Sequence, residues 1–177
     1  FPKFDFEIYK DKFQTRDLTI FDLDSIDIRF DKLYELDIDD YNCIFQSQLN
    51  YSSVDVNPYF LYSIQSDNDN YKSITVLHNK EALYTSLILI TYDLNGQKIS
   101  EILVAIEGGD GAWWFEERSR FKNDSIIKSN YVESNLHKEE KTREIWKKEE
   151  IETVYKLNKK GLIRTISIDS TITKEMK

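Results

Sequence analysis

Four carboxyls, Glu107, Asp110, Glu116 and Glu117, lie beside Trp113 and Trp114 in one short stretch of the chain. Glycoside hydrolysis needs two carboxyl groups roughly 5–10 Å apart, so these residue types meet the composition of a carboxylate-dependent glycoside hydrolase. They meet better the needs of a non-catalytic contact with a sugar or a protein, in which indole rings supply rigid area at low entropic cost. The same stretch holds three of the chain's five glycines, Gly108, Gly109 and Gly111, and two of its three tryptophans. Glycines this dense signal positive φ or close backbone approach. The candidate binding set is therefore Glu107, Gly108, Gly109, Asp110, Gly111, Trp113, Trp114 and Glu116, with no residue assigned a catalytic role. If the two Trp lie on a strand, alternation sends one to the core and the other to the surface.

Other chemistries lack their parts. Nucleophilic triads need a positioned His, and the two present, His78 and His137, stand far apart with no Gly-x-Ser-x-Gly elbow. Cys43 reads as a small buried hydrophobe. One Cys and two distant His give no zinc spacing. A phosphate loop at Gly108 to Gly111 would need a Lys and a following helix, whereas Glu107 and Asp110 repel phosphate and Trp-Trp-Phe-Glu-Glu follows. Asp67 and Asp69 miss the calcium-loop pattern, and Asp37, Asp39 and Asp40 form a second acidic knot read as a solvated turn. No cofactor and no metal is expected.

The elements that must position these residues are strands. From Pro58 onward, β-branched and aromatic runs at 59–65, 71–78, 83–93, 98–107, 113–121, 125–133, 143–157 and 162–173 alternate with turn residues. Asp93-Leu94-Asn95-Gly96 and Asn158-Lys159-Lys160-Gly161 place Gly where a type I turn with a bulge needs a left-handed residue, so both predict hairpins. Consecutive strands on short loops must be antiparallel. The segment 137–150 is too poor in apolar residues to anchor a helix and reads as a solvated hairpin extension. The tyrosines, including Tyr51, Tyr59, Tyr84 and Tyr92, are expected in cross-strand pairs with their hydroxyls at the rim.

Residues 1–57 read as acidic strands over 17–30 and one short helix that Asp37 caps, with Ile38, Tyr41 and Phe45 on one side. The fold class is thus mainly β: an antiparallel meander over 58–177, forming a partly closed barrel or sandwich, with one short N-terminal helix. No repeat or linker divides residues 1–177, which fit one domain, and a domain of this length buries roughly 70% of its unfolded surface.

Net charge is −8, and residues 1–70 carry 15 acids against 6 bases while the remainder is nearly balanced. An acidic surface repels the phosphate backbone, which argues against nucleic-acid binding and, by charge alone, favours a basic partner or a divalent cation. No apolar run approaches the ~20 residues of a membrane-spanning helix. A single Cys excludes an internal disulfide, which fits either a reducing cytoplasm or an exported protein that manages without bridges. The start Phe1-Pro2-Lys3 suggests a trimmed form whose export signal or lipid-anchoring Cys lay upstream.

The phrases Leu89-Ile90-Thr91-Tyr92-Asp93-Leu94-Asn95-Gly96, Lys98-Ile99-Ser100, the Trp113-Trp114 stretch, Asn123-Asp124-Ser125 and Val154 to Gly161 resemble a group of uncharacterised bacterial proteins. Many of these are exported, lipid-anchored β-meander domains. The resemblance covers the C-terminal half and implies a binding or structural domain of the cell envelope, in the periplasm or at the cell surface; the protein or glycan partner is read from the paired Trp113 and Trp114. It brings no catalytic residues. The alternative is an acidic immunity or inhibitor-type protein that blocks a basic partner.

Overall fold

The computed structural model describes residues 2–26, 28–49, 58–80, 83–140 and 143–176; Phe1 and Tyr51 lie outside them. The N-terminal segment supplies α1 (Phe6–Tyr9), β1 (Thr15–Arg16), β2 (Ile20–Phe21), β3 (Tyr34–Glu35) and α2 (Ile38–Phe45). The meander follows as β4 (Tyr59–Asp67), β5 (Lys72–Lys80), β6 (Tyr84–Tyr92), β7 (Lys98–Asp110), β8 (Trp113–Asn123), β9 (Ile126–Glu140), β10 (Arg143–Leu157) and β11 (Ile163–Met176). Among the described residues, eleven strands form one sheet in the order β1-β4-β5-β6-β7-β8-β9-β10-β11, with β2 beside β8 and β3 beside β4. All pairs are antiparallel except β1 with β4. The chain is mainly β, and the sheet does not close into a barrel.

The expected hairpins form for the expected reason. Gly96 has φ 77 and Gly161 φ 81, and the side chains of Asp93 and Asn158 each accept two backbone N–H groups of their own turn, at 2.8–2.9 Å and 2.8–3.1 Å. Within the segment 137–150, residues 137–140 and 143–150 lie in the paired strands β9 and β10. Helix α2 begins where Asp37 accepts from the N–H groups of Asp39 and Asp40. A second, four-residue helical turn, α1, departs from the expectation of one helix; Asp5 caps it, and it buries Phe6 and Tyr9 on one side. Among the described residues of 17–30, only Ile20 and Phe21 pair as a strand.

Strands β4 to β6 are buried along most of their length because both faces are covered. One face, with Leu61, Val76 and Ile90, packs under Phe4, Ile44 and Phe45 of the N-terminal segment. The other, with Phe60, Leu77 and Leu87, packs with Phe21, Ile127 and Leu157. Tyr92 departs from its expected rim position: it is fully buried, and its hydroxyl donates to the Ile44 carbonyl at 2.7 Å. A Tyr can sit there because its one polar atom has that partner.

Curling brings the β10–β11 turn back onto the start of the meander. Thr91 Oγ1 donates to Gly161 O at 2.7 Å, and the Ile163 N–H donates to Ser100 Oγ at 3.0 Å. Among the described residues, no helix is long and apolar enough to cross a membrane.

Candidate functional site

The β7–β8 hairpin is built differently from a glycine-rich loop. Gly108 and Gly109 are not turn residues. They belong to β7, opposite Phe115 and Trp114, and the turn proper is Gly111-Ala112. Close approach is what requires them. A Cβ on Gly108 would stand 2.3 Å from Leu83 O, and one on Gly109, at φ 136, would stand 2.2 Å from Trp113 O. Gly111 has nothing within 4 Å and is free of this constraint. Gly108 also lies between Tyr84 and Phe115 in register. Its missing side chain lets those rings meet at 6.3 Å, an aromatic pair covering a strand glycine.

Alternation does send Trp113 and Trp114 to opposite sides of this ribbon, but neither reaches the core. Each keeps 38% of its surface exposed. The core at this end is already closed by Phe115, which lies 4.5 Å from the Trp113 ring. Trp113 is held further by its indole N–H, which donates to Glu133 at 3.0 Å. Glu133 is also the acceptor of Tyr131 and Asn135, and these bonds hold its carboxyl below the usual range.

Trp114 instead walls an open cleft of about 520 Å³ at the end of the sheet. Glu107, Gly108, Gly109 and Asp110 form the same wall, while Asn79, Lys80, Leu83, Tyr84 and Thr85 form the opposite one. The two hairpins are tied together by the Gly109 N–H, which donates to Leu83 O at 3.1 Å. Of the eight residues proposed from sequence, five line the cleft; Gly111 is in the turn, Trp113 faces the other side, and Glu116 stands one step along the ribbon. Sequence reasoning missed the β5–β6 residues. Their signal was topological: in a meander, alternate turns fall at the same end, so the turn after β5 must neighbour the turn after β7.

The carboxyls divide. Glu107 and Glu116 are direct cross-strand partners, whereas Glu117 points to the other side, nearly buried, and accepts from the Ser129 hydroxyl. Arg118 joins Glu116 at 3.0 Å and Asp24 at 2.8 Å, with Asp22 at 3.5 Å. Three acids thus surround one guanidinium, and Glu107 lies close enough to feel the same charges. Partial burial, with Asp24 and Glu116 nearby, raises the Glu107 carboxyl above its ordinary value. Burial does the same for Glu117.

The remaining candidates serve packing. His78 lies flat on Tyr59, with centroids 4.1 Å apart and 4° between planes, and burial followed by the Lys80 charge pushes it down to about 4. The Cys43 thiol is raised by burial and donates to Lys3 O at 3.1 Å. Within the second acidic knot, Asp37 caps α2 and Asp40 accepts from the hydroxyls of Tyr9 and Tyr34 at 2.6 and 2.7 Å. The knot is therefore largely structural. Among the described residues, no group of three or more His, Cys, Asp or Glu is placed to hold a metal ion. No family model, curated protein or solved structure matches the chain.

Proposed function

We propose that the chain is a non-catalytic binding module of the bacterial cell envelope that takes a protein or glycan partner in the cleft walled by Trp114. The observation that carries this reading is an indole left 38% exposed on a hairpin whose backbone admits no side chain at Gly108 or Gly109. A rigid aromatic wall loses little entropy on binding. Glu107 and Asp110 add acceptors for sugar hydroxyls or a cationic side chain, and Lys80 adds a donor.

Trp114→Ala should abolish binding in a glycan array and to a lysine-rich peptide, with the circular dichroism melt nearly unchanged. Undiminished binding, or a collapsed melt, would remove the reading. A second reading, an inhibitor of a basic partner, has support in the acids grouped around Arg118. Under it, Asp24→Asn with Glu107→Gln slows association with that partner, and the slowing fades at high salt. A glycoside hydrolase would have to use Glu107 against Glu116, which is already tied to Arg118. Turnover of a chromogenic glycoside, lost in Glu116→Gln, would restore that reading.

A further inference from the structure

The two ends of the sheet are finished differently. The outer side of β4 is covered by the two-residue strands β1 and β3. At the other end, β11 pairs with β10 along its length, and no strand among the described residues pairs its outer edge. A long bare edge is a template for a further strand, and proteins ordinarily blunt it with Pro, charge or bulges. Here there is no Pro, and the one register shift against β10 leaves Ser167 to Met176 regular. Three isoleucines of this strand stand largely in the open: Ile166 at 55%, Ile168 at 67% and Ile172 at 56%. Ile168 and Ile172 share a face with Ser170 between them, and Ile151, opposite Ser170 on β10, extends the apolar strip.

We propose that β11 pairs antiparallel with β11 of a second copy of this chain, about a two-fold axis at Ser170. Charge selects both the partner and the register. The chain as a whole carries −8, yet β11 holds Arg164 and Lys174 against Asp169 and Glu175 and is neutral, so two copies meet here without net repulsion. With the axis at Ser170, Ile168 of each copy faces Ile172 of the other, and no like charges stand directly opposite. Moving the axis to Asp169 sets that carboxylate against its own copy and Arg164 against Lys174, which is destabilising. Moving it to Thr171 sets Ile168 against Lys174 and loses both isoleucine pairs. The Ser170 register alone keeps the apolar pairs and avoids the charge clash.

Sedimentation of the 177-residue chain over a concentration series should show a species of twice the 21.1 kDa chain mass. The double substitution Ile168→Lys with Ile172→Lys should weaken the association at least about a hundredfold, with an unchanged circular dichroism spectrum. Register is read separately with single cysteines in a Cys43→Ser background. Directly opposed Cα atoms in an antiparallel pair are about 4.5–5.5 Å apart, inside the disulfide range. Ser170→Cys should therefore give a disulfide-linked dimer under mild oxidation, and Asp169→Cys should not. A monomer at every concentration would overturn the proposal, whether the edge is left bare or reserved for another protein. So would a dimer indifferent to the double substitution, or cross-linking at Asp169→Cys in preference to Ser170→Cys.

Discussion

Replacing His78 by Phe should remove a large part of the protein's loss of stability in acid. His78 is 8% exposed, it stacks on Tyr59, and its Nε2 has no hydrogen-bond partner among the described residues. Burial, then the Lys80 ammonium, lowers its pKa from 6.5 to about 4 in the folded chain. Between those values the unfolded chain binds a proton that the folded chain does not. Stability from the neutral imidazole is therefore present above pH 6.5 and is lost as pH falls toward 4. A tenfold difference in proton affinity is worth about 1.4 kcal/mol, so the full contribution is about 3 kcal/mol, of which about 2 kcal/mol is lost between pH 7 and 4.5. Glu117 works in the opposite direction, since its raised carboxyl favours the protonated form in the fold. The comparison must therefore be between proteins rather than between pH values alone. Phe keeps the stacked ring and cannot titrate. Urea unfolding of the wild type and His78→Phe at pH 7 and 4.5 should show the variant losing about 2 kcal/mol less. Parallel losses in the two proteins, or a His78 imidazole that titrates near 6.5 by NMR, would refute the linkage.

Gly109→Ala should destabilise the chain by about 2 kcal/mol or more, because φ 136 and a Cβ placed 2.2 Å from Trp113 O both oppose it. Gly111→Ala should stay within about 0.5 kcal/mol, since nothing lies within 4 Å; thermal melts of the pair check the contrast. Asp37→Ala should cost about 1 kcal/mol through loss of the α2 cap. Asp39→Ala, whose side chain accepts no backbone N–H of α2 among the described residues, should change the urea midpoint little, so an equal effect of the two would show that the cap is not what Asp37 contributes.

The meander was legible because its signals are local. The runs beginning at Tyr59, Lys98, Trp113 and Arg143 became strands with nearly those boundaries, since β-branched and aromatic alternation and the Asn-Gly and Lys-Gly turns act within a few residues. The same locality exposed Asp37 as a helix cap. The site was half legible. Composition marked Glu107 to Trp114, but adjacent letters could not say that Phe115 closes the core and leaves both indoles outside.

Those outcomes belong to tertiary structure because they depend on what arrives from elsewhere in the chain. Leu83 and Tyr84 crowd Gly108 and supply the far wall of the cleft, and Asp24 meets Arg118 across 94 positions. Within the meander, sequence alone determined which segments are strands and where they turn, since backbone propensity and side-chain alternation are set by near neighbours, whereas the two-residue strands β1 and β3 form only because β4 offers them an edge. Which face of each strand is covered, which glycine is crowded and which edge stays bare were decided only when the sheet curled. Burial is a property of the surfaces that meet, and those surfaces are distant in sequence.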